Sequence, residues 1–303
     1  MLNNFGEIMN KKIKYLLDYF KLLKNPVSCL LFKFNVIHNV EVKFKGSNET
    51  VYLNKNSVIN DLMGMLQYQD NITSEFIDFI NALNSKNKII SWAGGNIFNY
   101  TEVDLSNTHV VFFEYFNRGY WSDFEIDYEN RCVIDVGSHI GDSCLYFTAN
   151  GANVYAFEPV KYLYDYSLKL KDINPELSDN MHFFNKGVSD KSGILSIESM
   201  DSTSAYLKND KYDVEVTTIE NILNDYNIQP DILKMDCEGC EFNIILNQDL
   251  SDFNDIIFEH HSKIVGKDYN ILIDKLQSEG FKIKKMTYGS TNFEDMGLIH
   301  AYK

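Results

Sequence analysis

The segment KMDCEGCEF, residues 234–242, concentrates residue types that could do chemistry. It holds a Cys-x-x-Cys pair, Cys237 and Cys240, directly after an apolar run. Such a pair is typical of a redox dithiol or of half a zinc site. The same segment also carries three carboxylates, which can orient a substrate or accept a proton. These are Asp236, Glu238 and Glu241.

The surroundings of the two cysteines argue against both redox and zinc chemistry. Neighbouring anions raise the pKa of a thiol and so disfavour the reactive thiolate. A zinc site needs about four ligands, and no second Cys or His pair lies at matching spacing. His260 and His261 are the nearest approach to one. The carboxylates are therefore the better functional candidates.

A second chemical motif, VIDVGSHIGDS at 133–143, predicts a strand, a glycine turn and the start of a helix. Gly137 can reverse the chain, and Gly141 allows the helix to approach the strand. A dinucleotide site would have glycine where this turn has His139, because a diphosphate needs the backbone there. Three further polar residues can cap the helix, namely Ser138, Asp142 and Ser143.

The charge of this turn favours an adenosyl ligand without phosphates. Asp135 and Asp142 would repel a diphosphate, whereas they favour the positive sulfonium of S-adenosylmethionine. Glu158 ends the next strand, 21 residues after Gly137, where an acid can bind both ribose hydroxyls. We expect its side chain to be exposed when no ligand is bound. The alternative is that Asp135 and Glu158 merely cap strands at the surface.

The elements that must position these residues begin near residue 131, where short apolar runs alternate with helical segments. This alternation predicts an α/β fold with a parallel sheet covered on both faces. Its ligands should bind at the carboxyl ends of the strands. The predicted strands are 132–136, 153–158, 181–185, 231–236 and 255–261, and the predicted helices are 142–149, 160–173, 218–227, 239–248 and 268–279.

Strand-like runs at 281–288 and 296–303 predict a terminal hairpin on the sheet edge. The runs 193–199 and 213–218 predict an insertion between the third and fourth core strands. Residues 1–120 form a predicted α+β accessory region, and residues 121–303 the sheet domain. The accessory region should contain a helix over 11–24, a hairpin over 32–53, helices near 57–67 and 73–84, and a strand over 108–117.

The composition limits the partners of the protein. A net charge of −15 over 303 residues repels nucleic acid, so we expect a small-molecule or glycan acceptor instead. No apolar run is long enough to span a membrane, although the amphipathic helix over 11–24 could lie on one. The odd number of cysteines, five, favours reduced thiols and a cytoplasmic location.

Five segments in this order resemble the FkbM-type S-adenosylmethionine-dependent methyltransferases. The distinguishing feature of that family is a strand-ending K-x-D-x-E-G-x-E, which matches residues 234–241 here. The resemblance covers roughly residues 130–285. Its segments are VIDVGSHIGDS, YAFEPV, NKGVSDKSG, TTIENIL and DILKMDCEGCEFNIIL.

The resemblance implies a Rossmann-like class I methyltransferase sheet of seven strands, the last antiparallel. It implies S-adenosylmethionine as cofactor and methyl transfer to a hydroxyl of a sugar, glycan or secondary metabolite. The cysteines then occupy variable motif positions, and we expect them to pack as small apolar side chains. The implied cofactor-binding residues are Asp135, Gly137, Ser138, His139, Gly141, Asp142, Ser143, Glu158, Gly187, Val188 and Asp236.

Methyl transfer to an alcohol is helped by a base, and Asp236 is the first candidate because it ends a strand beside the expected methyl position. Glu238 and His260 are the further candidates, and His261 is either another or a structural histidine. Lys234 is expected to keep Asp236 ionised. Asp236 and Glu238 alone are too few ligands to predict a metal. Two alternatives stay open: an NAD-linked oxidoreductase and a non-catalytic nucleotide-binding domain.

Overall fold

A computed structural model describes most of the C-terminal two thirds of the chain and parts of the rest. The helix near 57–67, the strand over 108–117 and most of the helices over 11–24 and 73–84 lie outside the described residues. The chain divides into two compact units, Met1–Trp92 with Ile97–Gly119, and Ala93–Asn96 with Tyr120–Lys303. The described residues are 17, 20–54, 77, 80–81, 89–92, 95–98, 124–198, 211–286 and 292–303.

In the first unit, helix α1 (Pro26–Lys33) precedes an antiparallel hairpin of β1 (Asn39–Lys43) and β2 (Thr50–Asn54). The hairpin prediction is correct from residue 39 onward, but the strand predicted from residue 32 is wrong. Phe32 and Lys33 belong to α1, which Pro26 can start because it needs no N–H in the first turn, and residues 34–38 form the connection to β1. Strands β3 (Ile89–Trp92) and β4 (Gly95–Phe98) form a separate two-stranded sheet.

The second unit is built on a seven-stranded sheet whose spatial order is β7-β6-β5-β11-β12-β14-β13. Of these strands β14 alone runs antiparallel to its neighbours, which confirms the predicted class I methyltransferase sheet. The strands are β5 Cys132–Val136, β6 Asn153–Phe157, β7 Met181–Phe184, β11 Ile232–Met235, β12 Asp255–His260, β13 Lys282–Met286 and β14 Gly297–Tyr302.

The five predicted helices of this unit agree with the structure to within two residues, and the four-residue α6 was not predicted. The main corrections are at the end of the chain, where β14 inserts between β12 and β13 and so does not form a simple edge hairpin. The helices are α2 Asp142–Ala149, α3 Lys161–Asp172, α4 Ile219–Asp225, α5 Cys240–Asn247, α6 Ser262–Val265 and α7 Asn270–Ser278, with a short 3₁₀ turn at Ser178–Asn180.

The predicted insertion between the third and fourth core strands forms its own three-stranded sheet. Strand β10 (Lys211–Thr217) lies in its centre, antiparallel to β9 (Gly193–Glu198) and parallel to the two-residue β8 (Gly187–Val188). After β10 the chain enters α4, whose first turn is capped by Thr218: its Oγ1 accepts a hydrogen bond from the backbone N–H of Asn221.

The central strands are apolar because both faces of the sheet are covered. Strand β11 is buried along its whole length, as is nearly all of β5 and β12. Polar side chains therefore concentrate where β5, β6, β11 and β12 end, on one edge of the sheet. In the part of the chain that the structure describes, no helix is long and apolar enough to cross a membrane.

Candidate functional site

The strand ends are joined by a buried ammonium group. Lys234 is fully buried, and its Nζ lies 2.8 Å from Asp135 Oδ1 and donates to the carbonyl of Gly137 at 2.8 Å. Burial opposes the charge, but the Asp135 carboxylate outweighs it and raises the pKa of Lys234. Lys234 makes its ion pair with Asp135, beside which parallel pairing sets it, and the charge of Asp236 also favours the charged ammonium. That Lys234 keeps Asp236 ionised stays a prediction.

The glycine turn is held against the next strand end. Gly137 has φ +77°, and a Cβ there would lie 1.9 Å from the carbonyl oxygen of Asp236. The N–H groups of Gly137 and Ser138 both donate to the carbonyl of Phe157. Only glycine fits this position, which brings the ends of β5, β6 and β11 together.

Glu158 lies under the glycine turn and is 6% exposed. Its two carboxylate oxygens accept the N–H groups of His139 at 2.9 Å and Val160 at 2.8 Å. Burial raises the pKa of Glu158 to about 7, although these two donors favour the ionised form. The expectation of an exposed side chain is wrong, because His139 at φ 49° folds the turn over it. A carboxylate has about four acceptor sites, so two remain for a ligand.

The turn also presents buried polar atoms that have no hydrogen-bond partner among the described residues. They are Ser138 Oγ, His139 Nδ1 and Asp142 Oδ1, the last two 3.6 Å apart. Orphaned polar atoms are costly in a protein interior. Their grouping fits a ligand with both donor and acceptor groups, such as the amino-acid end of S-adenosylmethionine.

The remaining predicted cofactor residues have structural partners. Asp135 is fully buried and accepts the hydroxyl of Ser143 at 2.5 Å in addition to pairing with Lys234. Gly141 caps α2, while Gly187 and Val188 are buried in β8. These residues are placed to fix the shape of the turn and of the neighbouring loop.

A cluster of carboxylates surrounds the ring of His261, which is 2% exposed. His261 Nδ1 lies 3.1 Å from Glu241 Oε1, and the backbone N–H of His261 donates to the same oxygen. On the other side of the ring, Nε2 lies 3.6–3.9 Å from Asp236, Glu238 and Glu259. Burial opposes a charged ring, but these carboxylates outweigh it, Glu241 first, and raise the pKa of His261 to about 10.

His260 points away from this cluster. Its ring stacks on Tyr269 with centroids 4.6 Å apart, and its Nδ1 lies 3.0 Å from Ser262 Oγ. Burial lowers its pKa to about 4. The structure therefore brings His261 and Glu259, rather than His260, to Asp236 and Glu238. The signal was the Glu-His-His that ends β12, but the sequence alone did not fix which side chain faces the site.

Cys237 and Cys240 form a disulfide, so the expectation of two reduced, apolar side chains is wrong. Glu238 at φ 55° and Gly239 at φ 116° turn the chain back on itself. The two Cα atoms come to 5.4 Å, within disulfide range. The sequence argument considered only the effect of nearby anions on the thiols. The turn that brings the two cysteines together could not be predicted from the residue pattern. The other three cysteines are free.

Comparison with known proteins bears on the second unit. The family model described as "Methyltransferase FkbM domain" matches residues 135–283, just under half of the chain. The match includes the glycine turn, Glu158, Lys234 and the carboxylate cluster. No curated protein matches the chain.

Solved structures show distant likeness. An FkbM methyltransferase from Methylobacillus flagellatus KT is 13% identical with a TM-score of 0.45, covering 81% of this chain and 60% of that one. The chain thus spans about 60% of that relative's length. Magnesium protoporphyrin IX methyltransferase from Synechocystis PCC 6803, with bound SAM, is 14% identical over 76% and 92% of the two chains, with a TM-score of 0.37. Aeropyrum pernix fibrillarin, with natively bound S-adenosyl-L-methionine, is 12% identical over 58% and 68%, with a TM-score of 0.36.

The Lys234–Asp135 pair generates a stability prediction. Lys234→Met leaves the Asp135 carboxylate buried without its counter-charge, which costs about 3–5 kcal/mol of unfolding free energy. Urea denaturation measures this. Adding Asp135→Asn should return part of the loss, because the uncompensated charge is gone. Lys263→Met breaks an exposed pair with Asp295 and should cost under about 1 kcal/mol. A Lys234→Met cost no larger than this control would refute the role of the pair.

The disulfide predicts a thiol count. Denatured protein without reductant should expose three thiols, and reduced protein all five. Cys237→Ala with Cys240→Ala should lower the unfolding free energy by about 2 kcal/mol, the loop-closure value for a four-residue loop. Five thiols in the unreduced protein would contradict the bond.

Proposed function

Residues 135–283 match the model of the FkbM methyltransferase domain, and on that premise we propose that the protein moves a methyl group from S-adenosylmethionine to a hydroxyl of its acceptor. The observation that carries this proposal is the meeting of the glycine turn, Glu158 and Asp236 at one edge of the sheet. Its support is chemical: each of the three has a distinct task in methyl transfer to an oxygen.

The cofactor of this domain family is S-adenosylmethionine, which supplies an activated methyl group. In the proposed complex the carboxylate of Glu158 accepts hydrogen bonds from the ribose hydroxyls at its two remaining acceptor sites. Ser138, His139 and Asp142 offer their unpartnered atoms to the amino-acid end. Lys234 and Asp135 keep the turn in shape without touching the ligand. The acidic surroundings favour the sulfonium and oppose a diphosphate.

The acceptor side of the site is the edge formed by Asp236 and Glu238. Asp236 follows β11 directly, and its backbone N–H donates to Val136, the last residue of β5. Its side chain is 28% exposed, so an acceptor can reach it. We assign to Asp236 the task of orienting the acceptor hydroxyl and taking its proton. Glu238, which is more exposed, is the second candidate.

The acceptor class follows from the same charges. A site with carboxylates at Asp236, Glu238 and Glu259 repels anionic acceptors, so a neutral hydroxyl of a sugar, glycan or secondary metabolite fits best. Nucleic acid does not fit. A cytoplasmic location belongs to this proposal. The three free thiols fit it, whereas the Cys237–Cys240 disulfide is typical of oxidising compartments.

The NAD-linked alternative has less support. His139 stands at the position where a diphosphate would need glycine, and its half-buried ring lies 3.6 Å from the Asp142 carboxylate. A non-catalytic domain of the same fold would bind S-adenosylmethionine without turnover. Calorimetry with S-adenosylmethionine and with NAD tests the first alternative. Transfer of a radiolabelled methyl group to a panel of sugars and phenolic alcohols tests the second.

The raised pKa of Glu158 predicts pH-dependent cofactor binding. The carboxylate binds the ribose, and it becomes protonated as pH falls through about 7. S-adenosylmethionine should therefore bind about tenfold more weakly at pH 6 than at pH 8. Glu158→Gln should weaken binding at pH 8 and flatten this dependence. Calorimetry at both pH values measures it, and an equally steep dependence in the variant would remove Glu158 from the site.

Asp236→Asn tests the acceptor assignment, since it keeps the shape and removes the charge. Loss of a positioned base costs about 10²–10⁴ in rate, while cofactor affinity should stay within about tenfold because the ribose contacts remain. Single-turnover methyl transfer at saturating cofactor, with the acceptor found in the panel, measures this. Asp252→Asn, at an exposed position, is the control. A near wild-type rate for Asp236→Asn would move the base elsewhere.

A further inference from the structure

Two carboxylates and one imidazole lie close together where β11 and β12 end. Asp236, Glu259 and His261 each offer one ligand atom, and these atoms all lie within 4.8 Å of one another. Parallel pairing of Met235 with Phe258 sets the following residues, Asp236 and Glu259, side by side. The sequence offered Asp236 and Glu238 alone, which was too few for a metal. The neighbouring strand supplies the missing ligands.

The orientation of the His261 ring is a second, independent observation. Its Nδ1 and its backbone N–H both contact Glu241, which is fully buried, so the ring is held in one position. Nε2 then faces the cluster, 3.9 Å from Asp236 and 3.6 Å from Glu259. The side chain is only 2% exposed, so Nε2 faces the carboxylates and not bulk solvent. A carboxylate behind a histidine that faces a ligand set is the usual support of a metal-binding imidazole.

The spacing of the cluster suits an ion better than direct contacts. The distances of 3.6–3.9 Å are too long for hydrogen bonds. Ligands about 2.1 Å from a shared ion, at tetrahedral angles, lie about 3.4 Å apart. Small rotations of two carboxylates close that difference. Four carboxylates, those of Asp236, Glu238, Glu241 and Glu259, lie within 4 Å of the ring. The charge balance therefore favours a cation, which is either the imidazolium itself or a metal ion that displaces its Nε2 proton.

We propose that Asp236, Glu259 and His261 bind one divalent first-row transition-metal ion. One imidazole and two carboxylates suit Mn²⁺, Fe²⁺ or Zn²⁺ better than Mg²⁺, which prefers oxygen ligands alone. Three protein ligands leave coordination positions open, the pattern of catalytic rather than structural sites. The catalytic consequence rests on the proposed function: the ion lies beside the acceptor position, where it lowers the pKa of a bound hydroxyl. Asp236 would then orient the acceptor through the ion, and the proton of the bound hydroxyl would pass to Glu238, the second candidate base, which is not one of the three ligands.

A rival metal group lies close by and must be separated from this one. Cys237, Cys240 and Glu241 also lie within ligand distance of one another. Both sulfurs are joined in the disulfide, and thiolates, not disulfides, bind metals. Glu241 is already committed to His261. The rival group therefore requires reduction, which gives the experiment a clear control.

The test is calorimetric titration of metal-stripped, non-reduced protein with MnCl₂, without S-adenosylmethionine or acceptor. We expect one Mn²⁺ per chain, with MgCl₂ at least tenfold weaker. Glu259→Gln keeps the shape, removes a ligand charge and should abolish binding at these concentrations, as should His261→Asn. Glu241→Gln, behind the ring, should weaken binding about 10- to 100-fold. Circular dichroism confirms that each variant is folded.

Two controls decide between sites. Cys237→Ala with Cys240→Ala should bind Mn²⁺ as the wild type does, as should Asp255→Asn, which alters a buried His–Asp pair at the opposite end of β12. Loss of binding in the double cysteine variant, with retention in Glu259→Gln, would overturn the proposal. So would no binding by the wild type up to about 1 mM Mn²⁺. Methyl transfer by metal-free protein would support the proposed function but show that it does not need the metal. Failure of the metal proposal can therefore be distinguished from failure of the proposed function.

Discussion

The buried ammonium of Lys234 holds the functional edge of the sheet together. It contacts the Asp135 carboxylate and the Gly137 carbonyl at 2.8 Å each, and so links β11 to both the end of β5 and the turn that follows. An apolar pair of similar volume would make the core as stable or more so. It would not hold the Gly137 carbonyl, however. The geometry of the turn therefore depends on this charge. Because the turn lies over Glu158, the burial of Glu158 depends on the charge as well.

Charge separates the two tasks of the site. Around the turn, Asp135 is neutralised by Lys234, while Glu158 and Asp142 keep acceptor atoms for a ligand. At the ends of β11 and β12 four carboxylates surround one imidazole. The first region suits a cationic, phosphate-free cofactor, and the second suits a cation that activates a hydroxyl. Both regions owe their charge to acidic side chains at the carboxyl ends of strands whose other residues are apolar and buried.

Much of the fold was predictable because buried parallel strands are short continuous apolar runs. The bounds of β5 and α2 were predicted correctly, since the glycine turn separates the apolar run of the strand from the pattern of the helix. Residues 32–38 were not, because an alternating pattern hid the end of α1. The site was harder to predict. The partner of Lys234 depends on which strand lies beside β11, and the contact of His261 with Asp236 depends on the order of β11 and β12. The Cys237–Cys240 bond depends on positive φ angles at Glu238 and Gly239. None of these is encoded in local periodicity.

We propose that the glycine turn, Glu158 and the end of β11 form one cofactor site. A crystal structure of the protein with S-adenosylhomocysteine, the product of methyl transfer, tests this proposal. We expect ribose hydroxyls about 3 Å from the Glu158 carboxylate, the amino-acid end at Ser138 and His139, and the sulfur facing Asp236. Nucleoside bound elsewhere, with Glu158 contacting only the backbone N–H groups of His139 and Val160, would contradict it.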